Sequence, residues 1–276
     1  MYRLAKKTLP LIVFILFIGQ AAAQEPKAAA AQENKTAFLL GAGLGYAFSG
    51  YREEIDVPLN RFLHTFSFAV NGNAEKGDFL HSLNIGFFSG KNEALIAYPL
   101  DLSDLEPDWM DQFFEYYRME DTYTRLYLEY ALDYRLWGPP RFPGSLGGAF
   151  RVDSYIIDKL NNFQYLNLTI IGSLGIHASQ KWIINAENTL VLSAGLPLFG
   201  FALRPHYMGT FAWPLEANIV SVHNYWALFG DLKYIHRINS LLSAYSDIGF
   251  ELSMVNFPKP RRDAILRIIV GIVFAF

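Results

Sequence analysis

A few groupings of residues have the types and spacing to carry chemistry. His177 and Ser179, in the run HAS, stand two apart, a spacing at which an imidazole could activate a neighbouring hydroxyl. A run this short recurs by chance, and the favoured reading is a turn between two strands. His64 and Ser67, in HTFS, are three apart, so on a strand they point to opposite faces and cannot cooperate. Glu129 and Asp133 share one strand face and could pass for paired carboxylates. Arg125 and Arg135 flank them on that face, which favours a structural salt-bridge ladder. Asp101, Asp104, Asp108 and Asp111 fall in one long loop and His206 in another; no tight pairing is visible, so they read as solvated charge. The chain has no Cys, which removes disulfides and thiolate metal sites. It also lacks a glycine-rich phosphate loop, zinc-ligand spacing and a nucleotide fingerprint. No catalytic, cofactor-binding or metal-binding residue is therefore assigned, and no cofactor is expected.

The elements that must position these residues have a period of two. In TYTRLYLEYALDYRLW, Leu126, Leu128, Tyr130, Leu132, Tyr134 and Leu136 form one face. Arg125, Tyr127, Glu129, Ala131, Asp133 and Arg135 form the other. The pattern recurs ten times, in segments starting near Thr36, Arg61, Phe79, Thr122, Gly147, Gln164, Trp182, Asn224, Leu241 and Ile265. Each pairs an apolar face with a polar or small one. Segments of about ten residues are long enough for a tilted strand to cross a bilayer. The chain is 52% apolar and 16% aromatic, yet beyond its N-terminal stretch no run reaches transmembrane-helix length, as expected when apolar residues are spread by alternation.

The polar faces carry both signs of charge. Arg125, Arg135, Arg151, Lys233 and Arg267 face Glu129, Asp133, Asp153, Glu187, Asp231, Asp247 and Glu251, a set that can pair inside a narrow lumen. Aromatics gather near segment ends: Tyr46, Phe48, Phe87, Tyr123, Tyr165, Phe199 and Trp226 at one, Trp137, Trp182, Tyr234, Phe274 and Phe276 at the other. Such clusters suit two membrane interfaces. Connections alternate short (EKGD, ASQK, RINS) with long (Lys91 to Asp121, Gly200 to Ser221); the Pro139 to Pro143 turn is long for its side. Alternation alone also fits a soluble secreted barrel, so which face meets lipid rests on these features together.

The last residues, ILRIIVGIVFAF, add a resemblance. Ile268, Val270, Ile272, Phe274 and the terminal Phe276 alternate, with Gly271 among them. This ending resembles the C-terminal assembly signal of bacterial outer-membrane β-barrels, although Ile269 stands where that pattern more often has a polar residue. The resemblance implies an all-β, closed antiparallel transmembrane barrel of about ten strands (eight or twelve being alternatives). Gly271, Ile272, Phe274 and Phe276 would then be read by the barrel-assembly machinery, and both termini would be periplasmic. Residues 1–23, with a basic start, an apolar stretch and AAAQ at the cleavage point, read as a signal peptide; residues 24–35 read as a flexible tail and 36–276 as the barrel. Loss of the leader, which carries Arg3, Lys6 and Lys7 and no acid, moves the formal charge from −3 to about −6, with no basic patch for nucleic acid.

The expected role is non-enzymatic, structural or surface-interacting, exercised through extracellular loops. A narrow porin-like channel is the first alternative. An outer-membrane hydrolase of lipid or peptide is the second, since the HAS spacing is similar to that of outer-membrane phospholipases and lipid A deacylases. The third loop, with Ser103, Glu106 and Pro107 before an acidic, aromatic stretch, predicts a short helix at the barrel mouth. The partners expected are outer-membrane lipid and, at the basic run FPKPRR, lipopolysaccharide phosphates; oligomeric state is left open.

Overall fold

The computed structural model describes residues 37–53, 60–95, 118–159, 166–205, 215–256 and 260–276. The predicted signal peptide and tail, the third-loop helix with its four aspartates, Tyr165 and His206 lie outside these residues. The described chain is all-β: β1 (Ala37–Glu53), β2 (Asn60–Lys76), β3 (Phe79–Leu95), β4 (Arg118–Trp137), β5 (Gly144–Lys159), β6 (Leu166–Ile183), β7 (Asn188–Pro205), β8 (Leu215–Ser221), β9 (Tyr225–Arg237), β10 (Leu242–Val255) and β11 (Arg261–Ala275).

Sequential strands pair antiparallel, and β1 pairs with β11 from Leu39↔Ala275 to Glu53↔Arg261, closing the ring. Ten strands make the closed barrel. β8 is additional: β9 pairs with the first half of β7 (Asn188↔His236 to Gly195↔Phe229), whereas β8 pairs with its second half (Phe199↔Ser221 to Pro205↔Leu215). A tight turn over Val222 to Asn224 takes up the change of register, with Ser221 N donating to Asn224 Oδ1 at 2.7 Å and Asn224 N to Ser221 O at 3.0 Å. The end of β7, to Pro205, and all of β8 fall inside the segment Gly200 to Ser221 that reads as one long loop in the sequence.

The alternation resolves inside out. Phe38, Leu40, Leu44, Leu126, Leu128, Ile248, Val270 and Ile272 are exposed on the outer wall, while Thr65, Ser67, Arg125, Glu129, Arg151, Asp153 and Glu251 are buried within the ring. An apolar outer wall over a charged interior is the arrangement of a barrel that lipid surrounds. Glycines let bulky inner residues fit. A Cβ on Gly271 would lie 2.5 Å from Tyr245 Cε1, so the glycine of the last strand makes room for that ring.

At the end holding β1's start and β11's finish the connections are short. Gly77, with φ 61°, turns β2 into β3. The β6–β7 and β9–β10 turns share one construction, in which Asn185 Oδ1 accepts from Glu187 N and Asn188 N, and Asn239 Oδ1 from Leu241 N and Leu242 N. The long Pro139 to Pro143 turn is stitched to β6 by Lys181 N to Pro143 O (3.0 Å) and Ile183 N to Arg141 O (2.9 Å), which explains its length. The run ASQK is not a turn: residues 178–181 continue the ladder inside β6, and the turn lies over 184–187.

Candidate functional site

The lumen is built in three tiers. The middle tier is an ion cluster that β4, β5 and β10 supply from inward positions. Arg125 Nη2 lies 2.5 Å from both Asp153 Oδ1 and Glu251 Oε1. Arg151 reaches Asp153 Oδ2 at 2.7 Å, Glu251 Oε2 at 2.5 Å and Glu129 Oε2 at 3.3 Å. Glu251 thus bridges two guanidiniums. Aromatic faces complete their shells: Arg125 Cζ lies 4.7 Å from the Tyr155 ring centroid, and Arg151 Cζ lies 4.9 Å from that of Tyr127 and 4.4 Å from that of Phe229. Beside this cluster Arg267 pairs with Asp231 and stands over Tyr127 at 5.3 Å. Charges this far from water persist because they are paired, along β5 between Arg151 and Asp153, between β4 and its neighbour β5, and across the lumen to Glu251 on β10.

The upper tier, toward the long loops, is apolar and closely packed, with Leu63, Tyr123, Ile171, Val220, Tyr225 and Val255 buried together. Arg261 and Asp263 pair there at 2.9 Å, and Arg261 Cζ lies 4.3 Å from the Tyr155 centroid. The lower tier, toward the short turns, is polar and looser. His177 Nδ1 lies 2.8 Å from Asp133 Oδ2, Ser145 Oγ donates to the same oxygen at 3.2 Å, and Ser145 and Ser179 hydroxyls are 2.7 Å apart. Lys233 Nζ donates to Asn71 Oδ1 at 2.8 Å, and Glu75 stands between Arg135 and Lys181 at 3.4 Å from each.

Of the residues expected to form a lumen network, Arg125, Glu129, Arg151, Asp153 and Glu251 meet in one cluster. Asp231 with Arg267, and Arg135 with Glu75, form separate pairs; Asp133, Lys233 and Asp247 line the lower tier. Glu187 does not belong: β7 begins at Asn188, so Glu187 sits exposed in the preceding turn. Tyr123, expected in an interface girdle, faces the lumen instead and is buried, because it shares the parity of Arg125. Arg261, the first arginine of FPKPRR, is likewise buried and held by Asp263 rather than turned to lipid phosphates; Arg262 is exposed. Of the terminal residues, Ile272, Phe274 and Phe276 are exposed on the outer wall, Gly271 is half-buried against Tyr245, and Ile269 fills the lumen beside Tyr245 and Ala69. On the outer wall Asn188, an unexpected polar residue there, accepts from Tyr234 Oη at 2.5 Å.

His177 has its triad-like carboxylate, but neither serine hydrogen-bonds the imidazole: Ser145 turns to Asp133, and Ser179 to Ser145. The residues that sequence reasoning passed over are Tyr127, Tyr155 and Phe229 as ring faces, and Arg261 with Asp263. Their signal was parity, since each lies an even number of residues from an inward charge on its own strand.

No protein-family model matches the chain, and no curated protein matches it by sequence. Solved structures do. The outer membrane protease OmpT from Escherichia coli is similar with a TM-score of 0.51 at 7% identity, over 91% of this chain and 99% of that one. The translocator domain of the autotransporter NalP from Neisseria meningitidis matches with a TM-score of 0.40 at 9% identity, over 99% and 97%. An outer membrane channel from Pseudomonas putida matches at 0.40 and 11% identity, over 91% and 99%. At such identities the likeness concerns fold alone. The closed ring of antiparallel strands, its apolar outer wall and the likeness to OmpT together establish that the chain has the fold of the bacterial outer-membrane β-barrels.

Proposed function

We propose that this protein is an outer-membrane barrel whose lumen does not conduct, and which acts through the surface formed at its long-loop end, with both termini periplasmic. The observation that carries this reading is the obstruction of the lumen. Arg125, Arg151, Asp153 and Glu251 are each no more than 5% exposed, and the apolar tier lies above them. A ten-stranded ring leaves little more room than the eight-stranded one that side chains just fill. What such a barrel offers its surroundings is therefore its rim, and loops held on a rigid wall are where recognition concentrates. In this reading lipid is the partner of the outer wall, and the assembly machinery the partner of the last strand during biogenesis.

The structural neighbours include a protease and a channel. A serine hydrolase built on His177 would require a hydroxyl within reach of that imidazole, and Ser145 and Ser179 both bond elsewhere. The test of closure is a planar-bilayer recording on the purified full chain. The expected outcome is no stable unitary conductance in the wild type. Steady openings of constant amplitude would replace this reading with the channel.

A further inference from the structure

Below the ion cluster the lumen opens into a cavity of about 170 Å³ whose lining includes Asn71, Asp133, His177, Lys233, Asp247 and Arg267. Its rim at the short-turn end carries Glu75, Arg135 and Lys181, all partly exposed, so it communicates with that side and stops at the Arg125 and Arg151 tier. Four side-chain atoms buried without a hydrogen-bond partner among the described residues belong to its lining: the acceptors Asp133 Oδ1 and Asp247 Oδ1, and the donors Arg135 Nε and Arg267 Nε. Buried polar groups are ordinarily satisfied, so orphans of both kinds around one polar space mark a place for something that supplies both donor and acceptor.

Two poles are built into the wall. Lys233 and Asp247 stand directly opposite each other on β9 and β10, yet no ion pair joins them. Lys233 turns away to Asn71 Oδ1 and over the Tyr245 ring, 5.4 Å from its centroid. Asn71 is itself held, donating from Nδ2 to Tyr245 Oη at 3.0 Å, and Tyr245 is seated against Gly271. The ammonium is thus positioned from behind, while Asp247 Oδ1 in the cavity wall has no hydrogen-bond partner. Asp133, also in the lining, spends Oδ2 on His177 and Ser145 and likewise leaves Oδ1 without a partner. A solute with one charge would answer one pole and leave the other bare.

We propose that the short-turn half of the lumen is a blind binding pocket for a small zwitterion of the amino-acid type, its ammonium group on Asp247 and its carboxylate on Lys233. The pocket's being blind rests on the closed-lumen reading; its chemistry does not. The test is calorimetry on the full chain in detergent micelles, with glycine, β-alanine and 4-aminobutyrate as zwitterions and ethylammonium and propionate as single-charge controls. At least one zwitterion should titrate saturably and at least tenfold more tightly than both controls. Asp247→Asn and Lys233→Met should each weaken it tenfold or more, and Glu187→Gln, in the exposed turn, should not. Asp247 makes no ion pair, so Asp247→Asn should keep the heat-modifiable folded form and decides the matter even if Lys233→Met fails to assemble. Zwitterions binding no better than the controls, or Asp247→Asn binding like the wild type, would overturn the proposal. Bilayer recordings on the same preparation separate the two readings: selective binding with steady conductance refutes closure alone, whereas a silent lumen without selectivity refutes the pocket alone.

Discussion

Glu251 holds Arg125 and Arg151 at 2.5 Å through its two oxygens, while Glu129 makes a single 3.3 Å contact with Arg151. Removing a partner from a buried pair leaves the other charge uncompensated and costs about 3–5 kcal/mol. Glu251→Ala strips a carboxylate from two guanidiniums and should reach that range. Glu129→Ala should cost less, because Arg151 keeps Asp153 and Glu251. Urea unfolding of the folded form in detergent, followed by the gel shift between heated and unheated samples, should rank wild type above Glu129→Ala above Glu251→Ala. Equal midpoints for the two variants would mean that the pairing around Arg151 is not what holds the middle tier.

At the scale of strands, the interior is fitted by glycines chosen for particular rings. A Cβ on Gly271 meets Tyr245 and the backbone of β1, whereas one on Gly72 meets nothing closer than 3.8 Å. Forcing a methyl into a packed site costs about 1–3 kcal/mol. Gly271→Ala should therefore lower the unfolding midpoint, and Gly72→Ala should leave it unchanged; the same urea series checks both. The last strand also closes the ring against β1. Deleting Phe276, which the resemblance to outer-membrane assembly signals singles out, should reduce the amount of assembled barrel far more than deleting residues 24–35. Quantifying heat-modifiable protein in isolated membranes tests that, and equal amounts of the two deletions would remove the assembly role from Phe276.

For the whole molecule, the outer wall sets the location. Leu126, Leu128, Ile248, Val270 and Ile272 lie on a surface that water would not tolerate at this density, and lipid covers such a wall without cost. The chain should sediment with outer membranes and resist alkaline or urea extraction. Recovery of a folded, water-soluble species would contradict the inside-out reading, because a soluble barrel needs the opposite polarity on its outer face.

Alternation along the chain determined much of this molecule by itself. A strand period of two assigns Leu126, Leu128 and Tyr130 to one wall and Arg125, Glu129 and Asp133 to the other before any partner is known, since successive side chains must point to opposite faces. Ten alternating segments likewise predict the ten strands of the ring. Strand ends were less legible: Glu187 reads as part of a strand but sits in a turn, and β8 hides in a segment that reads as loop, because register depends on a neighbouring strand. Only the closed ring decided which charges meet. Arg125 and Glu251 are 126 residues apart and Arg151 and Glu251 are 100 apart, and nothing local links them. Closure carries β10 across the lumen from β4 and β5, and opposite charges buried there must find one another.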